Sequence, residues 1–365
     1  MAVTGAIPFA RFMELALYCP QLGYYERKQD NIGRGGDFYT NVSTGPLFGE
    51  LVAFQFAEWL EEFKIQNSKF KIAEASAHDG KLAADILNWL QAQRPQLYDR
   101  LEYLIIEPSP LRQQWQRETL APFAPRVRWL AELPTPNSQL PTPASSTIIF
   151  SNELLDAMPV HRLGWDAGAK KWFEWGVTTH GDQFAWTKLA NSEFRIPNSE
   201  LESVLPDGYT VEICPAAAAW WRQAADALPA GKLLTIDYGY SEEKMFVPER
   251  TQGTLRAYHR HQVSADLLAQ VGEQDLTAHV NFTALQRAGE AAGLRTEAFE
   301  SQSGFLTRIA GRAWKDPGAF GEPVAAKLAG GGSEAGWTPA RTRQFQTLTH
   351  PEHLGRAFRV LVQSK

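Results

Sequence analysis

The sequence predicts an α/β fold in which a parallel sheet carries helices on both faces. Two observations carry this. Short, continuous apolar runs alternate with amphipathic helical stretches from residue 46 to residue 150. Acidic or amide residues, Glu74, Glu107 and Asn152, follow those runs, at the edge where such sheets bind ligands.

The elements follow in order. Residues 8–18 place Phe9, Phe12, Met13, Ala16 and Leu17 at helical spacing, with Pro8 in the first turn and Pro20 and Gly23 as stops. The glycine-rich stretch Gly33-Arg34-Gly35-Gly36-Asp37-Phe38 precedes a helix over 46–63, striped by Phe48, Val52, Phe56, Trp59 and Phe63. Strands are expected at 70–73, 103–106, 127–130 and 147–150, with helices at 80–90 and 112–120 between them. Residues 132–146, rich in Pro, Ser and Thr, read as an exposed loop. A Trp-rich hairpin at 172–186, turning near His180-Gly181-Asp182, reads as an insertion. A strand at 209–213, a helix at 215–228, a strand at 233–236 and a helix at 281–292 complete the alternation. Segments 296–301 and 305–311 are expected to pair as a closing hairpin, and Gly330, Gly331 and Gly332 mark a flexible break. The expected organisation is an N-terminal extension over 1–68, a main domain over 69–311 with an insertion at about 161–208, and a tail over 312–365 packed on the main domain.

Composition narrows the function. The chain has 365 residues, 44% of them hydrophobic and 21% charged, enough for a full core. A net charge of −5 gives no global basic field for nucleic acid. Two cysteines, Cys19 and Cys214, supply neither a disulfide framework nor a zinc spacing, and read as reduced intracellular thiols. Residues 1–12 show one basic residue, Arg11, and no apolar signal core. No apolar run reaches the ~18 residues of a membrane helix. The expectation is a cytoplasmic protein without membrane insertion.

Four segments carry candidate chemistry. Glu74-Ala75-Ser76-Ala77-His78-Asp79-Gly80 joins a strand to a helix, where free N–H groups meet a nucleotide-like ligand. Gly80 suits close backbone approach; an ordinary turn explains the segment equally well. Glu107 ends an apolar strand and is placed to accept from both ribose hydroxyls, or to act as a helix N-terminal charge. Together with Glu74 it would favour a cationic ligand such as a sulfonium. In Ser151-Asn152-Glu153-Leu154-Leu155-Asp156, a helical turn would put Glu153 and Asp156 on one face, with Asn152 as its cap. Asp275, Thr277, His279 and Asn281 form a polar segment before a helix. His259, His261 and His279 match no metal-ligand spacing, and no metal is expected.

In this order the motifs resemble the MidA family of S-adenosylmethionine-dependent methyltransferases, whose eukaryotic members are mitochondrial assembly factors for respiratory complex I. The resemblance rests on Phe12-Met13-Glu14-Leu15-Ala16-Leu17-Tyr18 with Gly23-Tyr24-Tyr25, on Gly36-Asp37-Phe38-Tyr39-Thr40 with Leu47-Phe48-Gly49-Glu50, and on Asn152-Glu153 with Asp156-Ala157-Met158-Pro159-Val160. It continues through Asp237-Tyr238-Gly239, Gly253-Thr254-Leu255-Arg256-Ala257-Tyr258 and the segment from Asp275 to Phe282. It implies a class I methyltransferase fold binding S-adenosylmethionine, and methyl transfer to an arginine of a protein, a respiratory complex I subunit or its analogue.

The donor would be held by Gly36, Phe38, Thr40, Glu74, Ser76, His78, Gly80 and Glu107. The acceptor would be held by Asn152, Glu153, Asp156 and His279. The family's donor loop runs Glu-x-Gly-x-Gly-x-Gly, and here Ser76 and His78 stand at the first two glycines, so His78 would crowd or contact the donor's carboxylate end. That departure motivates an alternative, a binding or assembly factor that kept the fold without methyl transfer. A small-molecule methyltransferase is a second alternative. A nicotinamide-dependent oxidoreductase is disfavoured by the missing Gly-x-Gly-x-x-Gly fingerprint. The oligomeric state stays open, a homodimer included.

Overall fold

The computed structural model describes residues 5–27, 40–63, 69–134, 146–189, 194, 196, 202–259, 262–264, 266–316, 318–320 and 337–365. The chain divides into two compact units: Met1–Phe38, Glu153–Trp221 and Tyr238–Ala288 form the first, and Tyr39–Asn152, Arg222–Asp237 and Gly289–Lys365 the second.

The second unit is built on a sheet of β1 (Phe70–Ala75), β2 (Leu101–Ile106), β3 (Val127–Leu130), β4 (Thr147–Asn152), β5 (Gly231–Tyr240), β6 (Arg295–Ser301) and β7 (Phe358–Ser364). Their order is β6-β7-β5-β4-β1-β2-β3. The pairs β3–β2, β2–β1, β1–β4 and β4–β5 are parallel, and β6–β7 is antiparallel. Every residue of β1 and β4 is buried. Successive strand side chains point to opposite faces, so both faces of this sheet are covered. Helices Leu47–Glu62 and Lys81–Gln93 pack closely, and a Cβ on Gly49 would lie 2.5 Å from Asp85 Cβ.

The end of the chain departs from the sequence expectation. Residues 305–311 are not a strand: they lie in helix Gln302–Ala313, capped by Ser301, whose Oγ accepts from the Gly304 N–H at 3.2 Å. The buried Phe305, Leu306, Ile309, Ala310 and Ala313 recur at helical spacing, which outweighs the apparent strand run. The partner of β6 is instead β7, about sixty residues onward, with Phe299 opposite Leu361. Helix Pro339–Thr349 precedes it. The triple glycine at Gly330, Gly331 and Gly332 lies outside the described residues.

The first unit is antiparallel. Strands Ile7–Pro8, Lys171–His180, His161–Asp166 and Thr210–Ile213 pair in that order, with Gln183–Leu189 also on Lys171–His180. The expected hairpin is present, turning at Gly181 with φ 60°. A smaller sheet joins Gln262–Ser264, Arg256–His259 and Asp275–Thr277. Helix Phe9–Tyr18 lays Phe9, Phe12, Met13 and Leu17 into a core with Leu255, Leu268 and Leu276.

A buried carboxyl lies in β1 of the second unit's sheet. Glu74, 2% exposed in β1, accepts a 2.5 Å hydrogen bond from the Tyr103 hydroxyl of β2. Burial pushes its carboxyl from 4.5 up to about 8, against the smaller opposing effect of that bond. At neutral pH burial favours the protonated carboxyl in the folded protein. The unfolded chain releases the proton at the ordinary value. Stability contributed by the protonated form is therefore present below that value and is lost as pH rises toward about 8. Glu74→Gln should flatten the decline, gaining on wild type by roughly 1 kcal/mol per pH unit in this window. Chemical denaturation of both proteins at pH 5.5 and 8 measures it, and parallel declines would count against the assignment.

Candidate functional site

The parallel register aligns three strand ends. Ala75 pairs with Ile106 on one side and Ser151 on the other, so Ser76, Glu107 and Asn152 stand side by side at one edge. Sequence reasoning singled out all three.

After β1 the backbone enters the left-handed region at alternate residues: Ser76 (φ 66°), His78 (φ 46°) and Gly80 (φ 85°). This conformation costs a residue other than glycine ~1–2 kcal/mol. The chain therefore keeps a glycine-loop conformation with two side chains that disfavour it. Local bonds hold it: the Gly80 N–H donates to Ala77 O at 2.6 Å, and the Lys81 N–H to Asp79 Oδ1 at 3.0 Å. The His78 carbonyl accepts from Gln116 Nε2 at 3.0 Å. At Gly80 a Cβ would meet Leu120 Cδ1 at 3.3 Å and Gln116 Cα at 3.4 Å, in addition to the positive φ.

Glu107 is 2% exposed and anchored. Its Oε1 accepts from the Ser109 N–H and Arg112 Nε, each at 2.9 Å, and its Oε2 from Gln116 Nε2 at 3.2 Å. A carboxylate offers about four lone-pair sites. Arg112 Nη2 also meets Oε1 at 2.9 Å, so Oε2 is the less occupied oxygen of the acid. Gln116, fully buried, is the hub: its Nε2 serves His78 and Glu107, while its Oε1 accepts from Trp129 Nε1 at 3.0 Å. Sequence reasoning missed it, because a glutamine in the polar helix Pro110–Thr119 resembles a surface residue.

Asn152 ends β4, and its Oδ1 accepts from Asn41 Nδ2 at 3.2 Å. The expected helical turn does not follow. Glu153 is left-handed, φ 53°, and residues 153–160 are bends, turns and irregular chain. Glu153 and Asp156 therefore do not share a helix face, and Asn152 caps no helix. Thr40 is buried in a tight turn, its Oγ1 accepting from the Ser43 N–H at 3.1 Å. Gly36 and Phe38 lie outside the described residues.

Within the first unit, two buried carboxylates meet tyrosines. Asp156 is 5% and Asp275 1% exposed. The Tyr25 hydroxyl donates to Asp275 Oδ1 at 2.8 Å. Tyr18 stacks on Tyr25 with ring centroids 5.5 Å apart, and its hydroxyl donates to Ala157 O at 2.9 Å. Burial, then Asp275, Tyr18 and Asp156, raises the Tyr25 phenol well above its ordinary value. Burial also raises Tyr258, with Asp275 and Asp156 adding to it and Arg256 opposing. The Ala278 N–H donates to Asp156 O at 2.9 Å, tying the two carboxylate-bearing segments together. Tyr18 and Tyr25 were visible in the sequence as motif residues, without a role.

His279 stands apart chemically. Burial, then Arg250 and Arg256, lowers its imidazole to about 4, so it is neutral at pH 7. Its ring lies edge-on to Tyr240 at 4.9 Å. Among the described residues no group of three His, Cys, Asp or Glu side chains is arranged to hold a metal.

A parallel sheet with a left-handed loop after β1 and a buried acid at the tip of β2 defines a nucleoside-binding α/β protein. The chain belongs to the family described as "Putative S-adenosyl-L-methionine-dependent methyltransferase", whose model matches residues 51–300. It is 30% identical over 316 residues to the Drosophila melanogaster mitochondrial protein arginine methyltransferase NDUFAF7 homolog, covering 80% of this chain and 68% of that one. The Danio rerio mitochondrial protein arginine methyltransferase NDUFAF7 is 28% identical over 302 residues, covering 78% and 68%. Among solved structures, a "COG1565 superfamily member" from Burkholderia thailandensis bound to S-adenosyl-homocysteine superposes with a TM-score of 0.79 at 30% identity, covering 99% of this chain and 88% of that one.

The protein is thus an S-adenosylmethionine-dependent methyltransferase. Its own geometry fits the donor: the loop keeps its glycine conformation, and buried Glu107 stands beside it at the strand edge. Exchanges at two positions test this reading. Gln116→Leu should weaken S-adenosylhomocysteine binding about tenfold, the worth of a hydrogen bond to a charged group. His78→Gly should bind as wild type, whereas the β-branched His78→Val, strained at positive φ, should bind more weakly. Calorimetry reads both, and equal affinity for the His78→Gly and His78→Val variants would mean that the loop conformation does not matter.

Proposed function

We propose that this methyltransferase modifies an arginine side chain of a protein substrate. The observation that carries the proposal is buried Asp275 bonded to Tyr25, with Tyr18 stacked on that ring and buried Asp156 close enough to raise Tyr25 and Tyr258, all in the first unit. A guanidinium is planar, always charged, and suited both to paired carboxylate bonds and to aromatic faces. The names of the relatives support the same chemistry.

When bound, the donor supplies a methyl group already activated on a sulfonium. The chain's task is to position the acceptor and manage its charge. In this proposal Asp156 and Asp275 accept N–H bonds from the guanidinium and draw positive charge onto its non-reacting nitrogens. As the reacting nitrogen gains its methyl group it loses a proton, which one of these carboxylates takes. Tyr25, held protonated, donates to Asp275 and fixes its orientation. Glu153 is a third acid proposed for the acceptor side. His279 lines the site as a neutral group, and at pH 7 it carries no proton to give as an acid.

Asp156→Ala should abolish transfer while leaving donor affinity within about twofold, and Tyr25→Phe should slow turnover about tenfold. Labelled-methyl incorporation into arginine-containing peptides, read by mass spectrometry beside calorimetry, checks both. Label on lysine or on small molecules alone, or unchanged turnover of the Asp156 variant, would sink the arginine reading.

A further inference from the structure

Three arginines gather around a neutral imidazole in the first unit. The His279 ring meets Tyr240 edge-on at 4.9 Å, and Arg250 lies over the same Tyr240 ring at 4.6 Å. Arg250 donates to Lys244 O at 2.5 Å and to Met245 O at 2.7 Å, and Arg256 donates to Leu255 O at 2.7 Å. Among the described residues neither of these two arginines forms an ion pair. Arg162 lies over the Trp186 ring at 4.8 Å, with its Nε 3.6 Å from Glu212 Oε1.

The positive charge here is not matched. Glu212 is already held by Thr254, whose N–H donates to its Oε2 at 2.6 Å and whose hydroxyl meets it at 3.2 Å. Glu249 acts on Tyr209 and not on the imidazole. His279 registers the imbalance: burial lowers it first, then Arg250 and Arg256, with no carboxylate opposing them. Burial lowers Arg162 as well, and Arg256 adds to it against the pull of Glu212. Guanidinium groups gathered beside a low-dielectric interior repel one another until an anion joins them.

Strand register relates this charge to the acids proposed for the acceptor. Tyr258 pairs with Asp275, and Arg256 with Thr277, across the antiparallel strands Arg256–His259 and Asp275–Thr277. Paired residues share a face, and so do residues two apart. Ala257 and Leu276 alternate with them and are buried in the core on the other face. Arg256 and Thr277 therefore follow Tyr258 and Asp275 on one face, about 7 Å along the strand. Arg256 is exposed there.

We infer that Arg256, opposite Thr277 and reinforced by Arg250, is a subsite for an acidic side chain of the protein substrate, two positions from the arginine that is methylated. An extended peptide repeats the same spacing: residues two apart point the same way, about 7 Å from one another. A guanidinium at Asp275 then leaves the residue two along at Arg256, and the residue between them faces away. A guanidinium has five N–H donors, and those of Arg256 beyond its bond to Leu255 suit a carboxylate through charge-assisted bonds. The inference rests on the arginine acceptor proposed above and adds which arginines are chosen.

Labelled-methyl transfer to peptides of one neutral sequence tests it, with Arg-Gly-Glu, Glu-Gly-Arg, Arg-Glu-Gly, Arg-Gly-Gln or Arg-Gly-Lys at the centre. For the wild type, kcat/KM on the better of the two spaced glutamate peptides should exceed that on the glutamine peptide about tenfold, through KM. The unspaced Arg-Glu-Gly peptide should gain less than about twofold. Arg256→Gln should erase the preference, and Arg256→Glu should reverse it in favour of the lysine peptide, a change that misfolding cannot produce. Calorimetry with S-adenosylhomocysteine shows that each variant is folded, and the wild-type preference decides the matter even where a variant is not. Equal use of the glutamate and glutamine peptides by the wild type, a preference for the unspaced acid, or an equal loss on both peptides in Arg256→Gln would overturn the subsite and leave the arginine reading standing. Label on no arginine of any peptide would remove that reading and the subsite with it.

Discussion

A parallel sheet covered on both faces confines charged and hydrogen-bonding side chains to its strand ends. Burying an unpaired polar group costs on the order of 1–3 kcal/mol, more for a charge. Where polar side chains do sit within β1 and β4, they are bonded: Glu74 is held by Tyr103, and Ser151 bonds to Thr235 of β5 at 2.9 Å. In-register pairing then brings the first residue beyond β1 alongside Glu107 and the terminal Asn152 of β4. The ligand edge follows from packing rules before any ligand is considered.

What holds those edge residues comes from elsewhere in the second unit. Glu107 is held in place by Arg112, Gln116 and the Ser109 N–H. Asn152 is aligned through Asn41 and Gln302 to the carbonyl of Leu348. Both supports run through buried glutamines on helices. A glutamine bonded at both ends transmits orientation as well as position, which a hydrophobic residue of the same size does not.

The strand–helix alternation was legible because its period is local: β1 to β4 lie where continuous apolar runs placed them. The tips Glu107 and Asn152 were legible because each ends such a run. The pairing of β6 with β7 was not, since the partner lies across helix Gln302–Ala313 and residues that carry no pairing signal. Gln116, Asn41 and Gln302 were illegible for a different reason. Each is a polar residue in a polar context, and its burial is decided by tertiary packing rather than by its own neighbours. The turn after Asn152 was misread because a left-handed Glu153 looks, in sequence, like any helix-favouring acid.

The contact between the His78 carbonyl and Gln116 has a consequence for how such chains are recognised. This bond uses the main-chain oxygen of residue 78, which any residue at that position supplies. Residue identity at this point can drift while the path of the chain persists. A fingerprint written in letters, glycine by glycine, would pass over a molecule like this one. A fingerprint written in torsion angles would find it.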